Sequence, residues 1–342
     1  MSRLTRVAGA ASAAAAAGAA VAAARKRRSG ADEAWSENPP RATEGPLVSD
    51  EQWNQDRRYV TANLHPRRVE GHDMPVIDMG EGEAILYIPL MAHVEVVYAR
   101  QLRDFSRDHR VVIFRRPEPT DRPVGIAERV EEARAVLDRL DIEKAHIVGR
   151  GQAAIVASEF ALAHPERSLS LVTVNVGMRH EVPPVLITNG INWALLHLPI
   201  ENWLIREDAW RRQVVTFLSG PEQRLTRRQL YAVYSEIPNF IYVCKYSVSP
   251  LELDHDLRQS AQRLTTPTLL LGADEDPRAT REQLDELAAA LPDCRGVHMV
   301  DHGGRFVNYI QGDEVNRLIR EFYAGLDGQA RTQASTPTAD AS

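Results

Sequence analysis

The chain has 342 residues, with 41 basic and 47 acidic side chains, a net charge of −6, 44% hydrophobic and 26% charged residues. That length allows one large domain or two ordinary ones, and the balance is that of a globular protein without the basic surplus of a generic nucleic-acid binder. Two cysteines, Cys244 and Cys294, show neither metal spacing nor a disulfide framework; no metal and no cofactor is expected, and a reducing compartment fits.

Residues 1–28 form an Ala-rich segment. Val7–Ala24 carries no charge and is flanked by Arg3 and Arg6 before it and Arg25-Lys26-Arg27-Arg28 after it. Its length is near the lower limit for a bilayer-spanning helix, and alanine drives insertion weakly. Three readings stay open: a membrane anchor or membrane-lying helix, a soluble arm, and a cleaved signal. The denser basic cluster after the apolar run places the C-terminal bulk in the cytoplasm. Residues 29–58 read as a linker, rich in Arg, Ser, Gly, Pro and acids.

Strands and helices then alternate. Ala84–Pro89 reads as a strand, Val94–Phe105 as a helix and Val111–Phe114 as a buried strand. Gly125–Leu140 is an amphipathic helix with Ile126, Val130, Ala133, Val136, Leu137 and Leu140 on one face. Ala145–Val148 is a strand, Gln152–His164 an apolar helix and Leu169–Val176 a strand. After residue 264 come a strand at Thr268–Leu271, a helix at Glu282–Leu291, a strand at Val297–Val300 and a helix at Asp313–Tyr323. Continuous apolar strands alternating with helices predict an α/β fold, a mostly parallel sheet covered on both faces. Residues 59–177 and 265–325 form this core, and 178–264, helical in period and rich in aromatics, form an insertion. Residues 326–342 read as a disordered tail.

The turn between the strand at 145 and the helix at 152 carries the sharpest signal. Gly149-Arg150-Gly151-Gln152-Ala153 has the frame of a nucleophile elbow of the G-x-S-x-G type, in which the central residue presents an attacking oxygen. Here the centre is Gly151. Glycine suits the backbone of the turn and carries nothing that can attack a carbonyl.

The order of elements resembles the α/β-hydrolase fold across about residues 60–325. The carrying features are the strand–elbow–helix, the phrase Phe160-Ala161-Leu162-Ala163-His164-Pro165, the segment Pro267–Pro277 and the end Gly303-Gly304-Arg305-Phe306-Val307. The resemblance implies that residues 178–264 are a helical cap over the active site. It implies triad positions in the chain order nucleophile, acid, base. Those positions fall on Gly151, on one of Asp274, Glu275 and Asp276 (Asp276 favoured because Pro277 follows it), and on Arg305. His302 could supply an imidazole if the loop shifts. The oxyanion loop holds Pro89-Leu90-Met91-Ala92-His93 in place of His-Gly, and the loop after Phe114 reads Arg115-Arg116-Pro117-Glu118-Pro119. Four motif positions depart together.

Two functional readings follow. The first is a catalytically degenerate protein keeping a capped small-molecule pocket, lined by Leu90, Arg150, Gln152 and Arg305, for an anionic or apolar ligand. Arg150 and Arg305 together suit an anion, whereas an Arg305–Asp276 ion pair would simply fill the site. The second is a non-hydrolytic enzyme of lyase, isomerase or cyclase type using His93 or His302 with Asp276. A hydrolase with a displaced triad is a third.

Overall fold

The computed structural model describes residues 47–89, 91–179, 207–218, 225–248, 251, 255–274, 276 and 279–334. The apolar segment 7–24 lies outside them. Among the described residues no helix is long and apolar enough to cross a membrane.

The described chain starts with a helix, α1 (Asp50–Asn63), where the sequence reads as linker up to residue 58. Ser49 caps it, accepting from the Gln52 N–H, and Asp50 and Glu51 sit in the first turn, where negative charge complements the helix dipole. Its polar composition hides one buried stripe of Trp53, Asp56 and Val60. Trp53 packs edge-on against Tyr309 at 5.3 Å between ring centroids. Asp56 accepts from the Tyr309 hydroxyl at 2.8 Å and from Arg103 at 3.0 Å. The linker reading is therefore corrected over residues 50–58: one tryptophan and one buried carboxylate dock a helix that composition reads as solvated.

A hairpin follows, β1 (His65–Val69) and β2 (His72–Met79). Glu70 and Gly71 both take positive φ, +44° and +84°, as a tight two-residue turn requires. The sequence reading misses both strands, since Pro66, Pro75 and a run of charges mask the alternation. Pro75 sits opposite Pro66, outside the β2–β4 ladder, where its missing N–H costs nothing.

The remaining strands follow in the expected order: β3 (Ala84–Tyr87), β4 (Arg110–Phe114), β5 (Ala145–Arg150), β6 (Ser168–Val174), β7 (Thr268–Ala273) and β8 (Cys294–Val300). The sheet has eight strands in the order β1-β2-β4-β3-β5-β6-β7-β8. Only the β1–β2 and β2–β4 pairings are antiparallel. Between strands lie α2 (Ala99–Phe105), α3 (Ile126–Arg139) and α4 (Gln152–Ala163). β3, β5 and β7 are buried along their whole length, so their apolar runs are continuous. α4 is buried on nearly every side, which explains its lack of a polar face.

Between β6 and β7 the described residues include α5 (Glu207–Leu218), α6 (Arg227–Tyr234), α7 (Phe240–Val243) and a π-turn at Cys244–Val248, with an isolated antiparallel bridge between Arg179 and Asp256. The chain closes with α8 (Arg281–Ala290), α9 (Val307–Ile310) and α10 (Gly312–Ala334). α10 runs past residue 326 into the stretch read as a tail, because Leu326 still packs on the core and a helix once formed extends at little cost.

If α1 belongs to the domain, Trp53→Ala will lower unfolding stability by about 3–5 kcal/mol, the usual cost of emptying a buried aromatic site. A change below about 0.5 kcal/mol in chemical denaturation would mean that α1 is only draped on the surface.

Candidate functional site

Parallel strands of such a sheet gather their loops at the C-terminal edge, and the sharpest of those loops lies between β5 and α4. Gly151 forms its tip with φ +55° and ψ −127°, a conformation that side chains rarely adopt. Its N–H donates to the Val174 carbonyl at 2.8 Å and its carbonyl accepts from the Ala154 N–H at 2.9 Å, so the turn is locked to β6 and to α4. No described atom lies within 4 Å of the place where a Cβ would stand. Among the described residues the tip therefore faces open space. Gly149 is the opposite case: a Cβ there would stand 2.5 Å from the Ala153 carbonyl oxygen and 2.6 Å from the Ala154 Cα. That close approach lets α4 fold back against the strand.

Arg150 precedes the tip. It does not reach solvent: it is buried, its Nε donates to the Arg305 carbonyl, and its guanidinium lies 4.1 Å above the Phe306 ring. Asn175, at the end of β6, donates to the Gly304 carbonyl at 2.9 Å. The loop after β8 is thus clamped by two side chains from the ends of β5 and β6. Arg305 is partly buried on this loop, and His302 sits three residues earlier with φ +60° and its carbonyl within 3.4 Å of the Gln311 amide. Of the candidate acids after β7, Asp274 is exposed and Asp276 is buried. Asp276 and Arg305 stand at the same edge of neighbouring strands, which pair up to Ala273↔Val300. Gln152 opens α4 and is partly buried. Leu90, Glu275 and Pro277 lie outside the described residues. Among the described residues no group of three or more His, Cys, Asp and Glu is placed to hold a metal ion.

The loop after β3 is held by buried charge. Glu95 is 1% exposed, accepts from the His93 N–H at 3.1 Å, and takes Nε and Nη2 of Arg115 in a bidentate pair, both at 2.9 Å. Glu118 accepts from the Ala92 N–H at 3.0 Å and from Arg129 at 3.1 Å, and lies 3.5 Å from Arg116. Arg116 donates to the Pro89 carbonyl. Arg129 continues to Ser247 of the π-turn at 3.0 Å, which ties the insertion to the core. Burial and the neighbouring Arg129 push the Arg116 guanidinium down to about 10, and burial raises the Glu132 carboxyl. The sequence reading treats Arg115–Pro119 only as a departure from a motif. Nothing in its order announces that Arg115 pairs with Glu95 and Glu118 with Arg129.

His93 is half-buried with φ +69°, and its Nδ1 lies 3.3 Å from Glu236, which also pairs with Arg57. Burial, reinforced by Arg115, lowers the imidazole below its usual value. The cavity it lines measures about 390 Å³ and is walled by β2, the loops after β3 and β4, and the turn 237–239. Gly151, Asp276, His302 and Arg305 are not among those walls. The structure therefore does not bring His93 into one described cavity with the other candidate groups.

A serine does meet a histidine elsewhere. Ser170 lies 2.8 Å from His146 Nδ1, and His146 Nε2 lies 3.5 Å from Glu83. These residues sit at the starts of β5 and β6, away from the elbow, and Ser170 has no exposed surface. No substrate carbonyl can reach it, and the His146 ring stacks on Tyr323 at 4.0 Å. The buried His146–Ser170 pair is part of the packing, and Glu83 lies exposed beside it.

No family model matches the chain. It is 23% identical over 235 residues to RutD of Stutzerimonas stutzeri strain A1501, provisionally named a carbamate hydrolase, covering 67% of this chain and 87% of that protein. A bacterial membrane phospholipase A superposes with a TM-score of 0.64 at 16% identity, over 80% of this chain and 89% of that one. The meta-cleavage product hydrolase CumD of Pseudomonas fluorescens IP01 superposes at 0.58 and 22% identity, over 77% and 99% of the two chains. The chain has the α/β-hydrolase fold.

Gly149→Ala is expected to cost about 1–3 kcal/mol or more, since α4 backbone would have to retreat from the added methyl. A melting curve superimposable on the unaltered protein would show that the elbow is not as closely packed as described.

Proposed function

We propose that this chain is a binding or accessory protein on the α/β-hydrolase scaffold, one that retains a small-molecule pocket under its helical insertion and forms no acyl-enzyme at the elbow. The observation that carries the reading is Gly151: it adopts the elbow's positive-φ geometry, has no described atom within 4 Å of where a Cβ would stand, and bears only a hydrogen. The hydrolase names of its relatives support the ancestry of the scaffold. Carried over by position, the acid remains as buried Asp276, while the base position holds Arg305. A guanidinium stays protonated in proteins and cannot accept the proton of an attacking hydroxyl. Without nucleophile and base, what remains of triad catalysis is the residual contribution of binding and any oxyanion donors.

The enzyme reading that joins His93 or His302 to Asp276 has less support. The His93 ring faces Glu236 in a separate cavity, and serving Asp276 would require it to leave that contact. Attachment to a membrane through residues 7–24, with the domain on the cytoplasmic side, belongs to the same proposal and rests on the charge-flanked apolar run alone.

A serine-directed fluorophosphonate is expected to leave the protein at its unmodified mass, with ester turnover no faster than buffer. Gly151→Ser should fold, losing about 1–3 kcal/mol for a side chain at positive φ, and should stay unlabelled. Gly151→Ser combined with Arg305→His should acquire labelling. A covalent adduct on the unaltered protein, or efficient hydrolysis by Gly151→Ser alone, would overturn the reading. Deleting residues 1–28 should move the protein from the membrane to the soluble fraction; an unchanged distribution removes the anchor.

A further inference from the structure

The cavity beside His93 has polar side chains on its walls that the elbow chemistry does not use. Arg115 gives Nε and Nη2 to Glu95, and among the described residues its Nη1 has no acceptor although the side chain lines the cavity. His93 turns Nδ1 to Glu236, and its Nε2 has no described partner. Asn239, with φ +52° at the start of α7, brings a side-chain amide to the same wall, likewise without a described partner. Between these groups the lining is apolar: Met74, Pro75, Pro117, Ile237 and Pro238. A volume of about 390 Å³ suits a small organic molecule.

The sign of the charge follows from what is already engaged. Glu95 is held by Arg115, Glu118 by Arg116 and Arg129, and Glu236 by Arg57 and His93. Asp73 is exposed at the mouth beside Arg68, and His72 is exposed next to it. Each inward carboxylate thus has an arginine, while donors of Arg115, Asn239 and the imidazole remain for an incoming group. A carboxylate matches the planar guanidinium edge, and a short carbon chain matches the proline and isoleucine walls.

We propose that this cavity binds a short-chain carboxylate, with Arg115 as the anchor and His93 taking up a proton as the ligand enters. The site is separate from the elbow and does not depend on the reading given for Gly151. The proton uptake follows from linkage. Burial and Arg115 disfavour the imidazolium in the empty cavity. A carboxylate placed against the ring favours it, so the imidazole pKa rises on binding and affinity grows as pH falls from about 7.5 toward 5.5. Glu236 and Glu95 pull in the same direction as the ligand, and Arg115 opposes them.

The test is calorimetric titration of the full-length protein with butyrate, and with butyramide as the neutral analogue, at pH 5.5 and 7.5. Two buffers of different ionisation enthalpy report the proton uptake. Butyrate is expected to bind at millimolar concentration, at least tenfold more tightly than butyramide and several-fold more tightly at pH 5.5. His93→Gln should keep binding but lose both the pH dependence and the proton uptake. Arg115→Gln should weaken butyrate at least tenfold. Because that change strands buried Glu95, the double variant Glu95→Gln/Arg115→Gln, which removes both charges, is measured beside it and should show the same loss. Equal affinity for butyramide, retention of binding in the double variant, or no binding by butyrate up to about 50 mM would overturn the proposal.

Discussion

The reversal of the chain between β5 and α4 sets the geometry on which the other parts of the edge depend. A parallel strand that must turn at once into a helix packed on its own sheet needs one residue at positive φ and one neighbour without a side chain. Gly151 and Gly149 meet these two demands separately: the first faces empty space and the second touches backbone. Because the turn is locked to β6 and α4 by main-chain bonds, its position is stiff. Arg150, held just before the tip, then reaches the loop after β8 and fixes it through a carbonyl and an aromatic face. A residue that in isolation reads as a charge for a ligand thus works as a strut between two loops.

The other half of the edge is held by charges out of water. Removing arginine and carboxylate from solvent is costly, and the pairs persist only where geometry and additional hydrogen bonds compensate. Glu95 and Glu118 satisfy that demand by also accepting main-chain N–H groups of His93 and Ala92. The result is a loop after β3 whose backbone is engaged by carboxylates, and an insertion joined to the core through Arg129 and Ser247. The sheet is mostly parallel and the fold is that of its hydrolase neighbours.

How much of this was legible in the linear chain follows from the range of each interaction. The strands of the core and the helices after them announce themselves by apolar runs and a period near 3.6, which depend only on neighbours in sequence. The glycine frame at 149–151 is equally local. α1 and the β1–β2 hairpin are hidden, since their signals are diluted by charge and proline and their stability comes from partners far away, such as Tyr309 for Trp53 and Phe114 for Val76. Sequence offers Asp274, Glu275 and Asp276 and favours Asp276 only through the proline that follows it; the turn after β7 buries Asp276 and exposes Asp274.

By itself, then, the chain's order of residues determined the α/β class, the sheet's central strands, and the glycine frame of the turn between β5 and α4, because each of these is a property of a short window of backbone and side-chain types. Tertiary structure alone decided where the charges go: that Arg150 clamps a loop, that Arg115 pairs with Glu95, and that His93 opens onto a cavity apart from Gly151. Burial sets the free energy of an ionised group, and burial is created only when distant segments close around it.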